Sequence, residues 1–194
     1  GAGMGWYFLA NLLNTLNDSQ SSDTVSVVVK GVPPDVQHKV AFDDRVAIVY
    51  YYPAMKPDII DSLVDRGYRG IIIAGTGLGH VNRPLYPALQ RAKDAGVSMF
   101  MTVQTLWGYV QMYVYETGRE IMELGVVPAA NMLPEVAYVK LGWALGQSSD
   151  PREVQRLMLT PIAGEITERE PHNGYLILQG GIPEVDAFIS QYWK

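Results

Sequence analysis

The stretch "GYRGIIIAGTGLGHV", residues 67–81, holds the residues best placed to do chemistry. An apolar run meets three alternating glycines, Gly75, Gly77 and Gly79, and closes on His80. Glycines at this spacing admit positive φ and close approach of a ligand, and such turns hold ligands at the carboxyl edge of parallel sheets. The same pattern also suits a tight strand-to-helix turn with no ligand. The spacing is G-x-G-x-G, not the G-x-G-x-x-G of dinucleotide sites, and no P-loop lysine accompanies it, which argues against a bound nucleotide. His80 is one of three histidines. His38 and His172 fall in expected loops, so no convergent ligand set is visible. A hydrogen-bonding His80 is expected, with no metal and no cofactor.

The second informative stretch is "MTVQTLWGYVQMYVYETGRE", residues 101–120. It leaves a strand, turns at Gly108 and spaces Tyr109, Tyr113 and Tyr115 at odd positions. Those tyrosines are expected to form one packed face of an extended segment, or an interface. Thr117 is placed to cap the helix that follows. The acid pairs Asp43/Asp44 and Glu168/Glu170 sit in polar loops and are expected to be solvated. Neither a G-x-S-x-G elbow nor an H-E-x-x-H pair occurs. Residue types and spacing alone therefore give a ligand-like turn without a catalytic device.

The elements that must position the turn follow from periodicity. Residues 46–52, Gly70–Gly75 and residues 97–103 read as buried strands. Between them, helices are expected from Pro57 to a stop at Gly67, and from Pro84 to a stop at Gly96. Further helices are expected at 117–124, at 133–145 with Gly146 as its stop, at Pro151–Leu159 behind an Asp150 cap, and at 183–192. Alternating strands and helices with short connections predict an α/β fold, a small parallel sheet with flanking helices. Upstream, residues 6–17 carry a helical stripe and residues 24–30 a strand pattern. We expect residues 1–34 to comprise an expression scar ("GAG" before Met4) and a helix–strand remnant or extension, residues 35–45 a linker, and residues 46–194 one domain.

Composition narrows the function classes. The 194 residues are 48% hydrophobic and 18% charged, which excludes a disordered chain. A net charge of −5 without a basic stripe argues against direct nucleic-acid binding by this domain. The absence of cysteine removes disulfides and thiolate chemistry. No stretch reads as a signal peptide or a bilayer span, so a cytoplasmic location without membrane contact is expected.

Three stretches carry a family resemblance: "VAIVYYYPAMKPDIIDSLVDRGYRGIIIAGTGLGHV", "MTVQTLWGYVQMYVYETGREIMELGVVPAANMLPEVAYVKLGWALG" and "DPREVQRLMLTPIAGEIT". In this order, over residues 46–167, they resemble the C-terminal domain of type I-like L-asparaginases and glutaminases. The branch they look most like is the D subunit of archaeal glutamyl-tRNA(Gln) amidotransferases. That resemblance implies a Rossmann-like or flavodoxin-like domain of an amidohydrolase. In such enzymes a larger N-terminal domain carries a nucleophilic threonine in a T-G-G-T turn, and a second threonine beside an aspartate and a lysine. No such motif occurs in this sequence, so no catalytic residue is expected among these residues and the chain alone is expected to be inactive.

The resemblance further implies a homodimer in which this domain closes the partner's site. Gly75, Thr76, Gly77, Leu78, Gly79 and His80 would line the wall, with Gln111, Tyr113, Tyr115 and Glu116 as further pocket or interface candidates. The substrate implied is a small amide amino acid, glutamine or asparagine. A different amidotransferase subunit would use the ammonia to convert Glu-tRNA(Gln) to Gln-tRNA(Gln), and tRNA would be reached through that second protein. The alternative is a naturally short, non-catalytic binding or dimerisation module of the same fold.

Overall fold

The computed structural model describes residues 41–167. The helices expected at 6–17 and 183–192, the strand at 24–30, most of the linker, His38, His172 and the Glu168/Glu170 pair lie outside the described residues.

Four strands form one parallel sheet: β1 (Val46–Tyr50), β2 (Gly70–Gly75), β3 (Ser98–Val103) and β4 (Val126–Pro128). Their order in the sheet is the order in the chain. The connecting helices are α1 (Asp58–Asp65), α2 (Tyr86–Asp94) and α3 (Glu116–Glu123). Two more, α4 (Pro134–Gln147) and α5 (Pro151–Leu159), follow β4. This is the expected α/β architecture.

The β2 run "GIIIAG" is buried at every position, as a parallel strand covered on both faces must be. Alternate side chains go to opposite faces. Ile71, Ile73, Met99 and Met101 pack with Ile60, Leu89 and Ile121 from α1, α2 and α3. Ile72 and Phe100 pack with Ala137, Leu141 and Ala144 of α4 and Val154 and Met158 of α5. The fit against α4 is close, since a Cβ on Gly70 would meet Leu141 Cδ2 at 2.7 Å.

Four local differences from the sequence expectations have physical causes. The strand β4 has three residues, too few to show a period, and its Pro128 is tolerated at the end of an edge strand. The second crossover starts with a single 3₁₀ turn, Arg83–Leu85, before α2 begins. Gly146 does not stop α4, which runs on to Gln147. Glycine stands there because the Ala41 carbonyl oxygen would lie 2.3 Å from a Cβ. One turn earlier Gly142 admits the Phe42 ring in the same way. Residues 41–43 are held on α4 by Asp43 N–H donating to Gly142 O (2.9 Å) and Gln147 Nε2 to Ala41 O (2.7 Å).

Asp43 is the fourth difference. Instead of standing solvated beside Asp44, its carboxylate is largely buried and bridges Arg45 and Arg69, each at 2.8 Å. Hydrogen bonds from Arg45 outweigh desolvation and hold this carboxyl far below the ordinary carboxylate range.

Candidate functional site

The strand register puts the carboxyl ends of β1, β2 and β3 at one level: Tyr50 pairs with Ala74, and Gly75 with Val103. The glycine turn, residues 76–80, leaves this edge from β2. It is closed by a small antiparallel bridge between Thr76 and His80, with Thr76 N donating to His80 O and His80 N to Thr76 O, both 3.0 Å. Gly79 N also donates to Thr76 O at 3.0 Å. Gly77 takes φ +55° and Gly79 φ +94°, conformations that other residues rarely adopt. Gly79 is also hemmed in, since a Cβ there would meet Met101 Cγ and Val110 Cγ1 at 2.8 Å. The turn's glycines thus answer first to geometry. At its exposed tip, the Gly77 and Leu78 amides have no acceptor among the described residues.

The loop after β3 supports the turn. Gln111 N donates to Leu78 O (2.9 Å), and Val110 N to Ala130 O (3.0 Å). Val110 and Met112 are buried, whereas Gln111, Tyr113, Val114 and Tyr115 are exposed, so the odd-numbered tyrosines do not form a packed face. Val110 and Met112 do that instead. Tyr113 and Tyr115 remain 65% and 57% exposed, at the same end of the molecule as Tyr52 and Leu106. Tyr109 differs again, donating its hydroxyl to Thr167 O. Glu116 is the exposed first residue of α3, and Thr117 lies inside that helix rather than capping it.

His80 is half-buried, and the Tyr115 ring meets it edge-on with centroids 5.4 Å apart. Its Nε2 is buried with no hydrogen-bond partner among the described residues, and desolvation holds the imidazole below its ordinary pKa. A neutral ring on the turn follows at pH 7. No group of three or more His, Cys, Asp or Glu side chains among the described residues could hold a metal ion.

The structure therefore brings residues 75–80 into contact with Gln111 and Tyr115, while Tyr113 and Glu116 stand further out on the same loop and helix start. Two groups were missed in the sequence. Arg83 and Glu120 form a two-pronged ion pair (2.9 and 3.1 Å) that Tyr86 joins at 3.0 Å, beside an open groove of about 460 Å³ between α2 and α3. Burial and the Glu120 carboxylate push the Tyr86 hydroxyl up to about 12. The other is the buried pair Lys140–Glu165. Its signal was present as a single lysine inside the apolar run "VAYVKLGWALG".

In chemical terms the edge offers two backbone amides without an acceptor among the described residues, a neutral imidazole, the Thr76 hydroxyl that donates to His80 O, and exposed aromatic side chains. Consecutive strand order also leaves no reversal point, where open α/β sheets make their ligand crevice, among the described strands. The class defined is an α/β domain with a glycine turn at the carboxyl edge of its parallel sheet.

Comparison with known proteins specifies the family. The model of the glutaminase/asparaginase C-terminal domain matches residues 45–158, and the chain belongs to this family. Among curated proteins it is 51% identical over 135 residues to the D subunit of glutamyl-tRNA(Gln) amidotransferase from Pyrococcus furiosus, covering 70% of this chain and 31% of that protein. It is 47% identical over 146 residues to the corresponding D subunit from Thermofilum pendens, covering 75% and 32%. The chain thus spans about a third of the length of these relatives. Among solved structures, the thermostable L-asparaginase of Thermococcus kodakarensis superposes with a TM-score of 0.62 at 32% identity, covering 73% of this chain and 45% of that one. No helix among the described residues is long and apolar enough to cross a membrane.

Proposed function

We propose that this chain supplies the C-terminal wall of an amide-hydrolysing site, as part of an amidotransferase D subunit. The wall is the turn, residues 75–80, with Gln111, Tyr113, Tyr115 and Glu116 flanking it. The observation that carries this reading is that the segment matched to the family, residues 45–158, builds both the turn and the loop that holds it. In this reading the substrate is glutamine, and its hydrolysis supplies ammonia to a second protein that amidates glutamate carried on tRNA. The location is then cytoplasmic.

Each wall residue has a physical role in the proposal. The Gly77 and Leu78 amides, which have no acceptor among the described residues, are donors for a carboxylate or carbonyl oxygen of the substrate. Neutral His80 adds a polar ring without adding a charge. The threonine nucleophile comes from outside these 194 residues, which contain no T-G-G-T turn. Exposed Leu106, Tyr113, Val114 and Tyr115 give the same edge an apolar margin suited to a second copy of the chain, in a homodimer.

Two measurements test the proposal. The purified chain is expected to release no ammonia from glutamine or asparagine, and to scatter light as a dimer at tens of micromolar. Turnover above a protein-free blank would place a nucleophile within these residues and overturn the assignment. A strict monomer would remove the paired-edge part of it.

A further inference from the structure

We propose that the buried ion pair Lys140–Glu165 is a positioning device: it sets the segment 160–167 so that Thr167 anchors the carboxyl-edge loop through Tyr109 and Asn131. Its importance for catalysis rests on the wall assignment above, but the anchoring itself does not.

Lys140, on α4, and Glu165, in the loop after α5, have side chains only 4% and 6% exposed. Lys140 Nζ donates to both the Glu165 carboxylate and Thr160 O, the latter at 2.6 Å. Glu165 in turn accepts the Ile162 N–H at 3.1 Å and the Ala163 N–H at 2.6 Å. One carboxylate thus closes the loop on itself and fastens it to α4. Burial pulls the Lys140 ammonium below its ordinary pKa, against the pull of Glu165. Burial alone would raise the Glu165 carboxyl, but Lys140 and the Ala163 amide more than offset this and hold it below the ordinary value. Glu165 is therefore ionised at neutral pH.

Two residues further on, Thr167 meets the edge. Its N–H donates to Asn131 Oδ1 (3.0 Å), and Asn131 Nδ2 donates back to Thr167 Oγ1 (2.8 Å). Tyr109 donates its hydroxyl to Thr167 O and lies 3.2 Å from Oγ1. Tyr109 directly precedes Val110 and Gln111, whose amides bond to Ala130 O and Leu78 O. The path from buried charge to glycine turn is therefore continuous in hydrogen bonds and short stretches of backbone.

Stability alone does not explain an ion pair here. Well-packed apolar residues in place of a buried pair are often neutral or stabilising, whereas removing one partner strands a buried charge. An apolar pair could not accept the Ile162 and Ala163 amides. What the charged pair adds is the shape of the loop.

The test compares hydrogen exchange and melting of the 194-residue chain with those of Glu165→Gln and the double variant Lys140→Met/Glu165→Leu. Glu165→Gln is expected to melt lower, because the ammonium loses its counter-charge. The double variant is expected to recover most of that loss while its Val110 and Gln111 amides still exchange about tenfold faster than in the parent. Recovery of both melting and parental exchange at those amides would reduce the pair to a stabilising contact and overturn the proposal. Tyr109→Phe removes both contacts of the Tyr109 hydroxyl with Thr167 without touching the buried pair, and serves if the double variant does not fold. Faster exchange at Val110 and Gln111 supports the anchor, and unchanged exchange refutes it. None of these readouts depends on amide hydrolysis, so failure of the wall assignment and failure of the anchor are separable.

Discussion

The Met112 carbonyl oxygen lies 2.1 Å from the point that a Cβ on Gly118 would occupy. The loop after β3 therefore crosses the first turn of α3 in direct backbone contact. Arg119, the next residue, donates from Nη1 to Tyr113 O at 2.9 Å. With Met112 buried on one side and Arg119 holding the chain on the other, "ETGRE" fixes where Tyr113 and Tyr115 emerge. The candidate edge is built by this crossing as much as by the glycine turn.

Gly118→Ala is accordingly expected to push the loop off α3. Neither partner at this contact is the end of a flexible side chain, so the cost falls at the upper end of overpacking effects, about 3 kcal/mol. Urea unfolding with an unchanged slope measures it. A loss below about 0.5 kcal/mol would show that the loop shifts freely.

The two glycines of α4 rank differently. At Gly146 an added methyl meets the Ala41 backbone, whereas at Gly142 it meets the far end of the Phe42 ring, which can turn aside. Gly146→Ala is expected to cost about 2 kcal/mol and Gly142→Ala less than half of that. Denaturant unfolding of the two variants side by side gives the ranking. The reverse order would mean that residues 41–43 are not held on α4 as described.

The pH dependence of stability should carry a mark of His80. Desolvation holds its folded pKa below the ordinary value, so the unfolded chain takes up a proton first as pH falls. Its neutral form is fully favourable above the unfolded value, about 6.5, and stability is lost as pH drops below that toward the folded pKa. Thermal melts from pH 8 to 5 on the parent and His80→Gln isolate this effect, since His38 and His172 are common to both. The gap between the two proteins should change in the variant's favour below about pH 6.5. A constant gap would place His80 in a water-like setting.

How much of this was legible in the sequence depends on the length scale of each signal. Residues 46–103 alternate apolar strands with amphipathic helices, so β1, β2, β3, α1 and α2 could be placed from periodicity. Val126–Pro128 is too short for any period, and β4 was missed for that reason. Gly146 was read as a helix stop because a glycine at a helix end and a glycine under a crossing chain look the same in sequence. What separates them is Ala41, more than a hundred residues away. The tyrosine spacing suggested a packed face or an interface; Val110 and Met112 do the packing, which leaves exposed Tyr113 and Tyr115 for the second reading. The turn at 75–80 was legible as a turn, and its hydrogen bond to Gln111 was not. Lys140 was missed although its polarity inside an apolar run was a signal, while its partner Glu165 and the anchor at Thr167 needed three dimensions.

The central claim is that the turn walls a site whose chemistry is completed by other residues. The most direct measurement is steady-state ammonia release from glutamine by a graft in which residues 45–167 replace the matching segment of the Pyrococcus furiosus amidotransferase D subunit. It is made with and without Thr76→Lys. Thr76 is exposed, so the lysine should leave folding intact and obstruct only what lies in front of the turn. The account predicts an active graft whose kcat/KM falls about tenfold or more with Thr76→Lys, at an unchanged melting temperature. A folded graft that releases no ammonia, or one indifferent to Thr76→Lys, would contradict it.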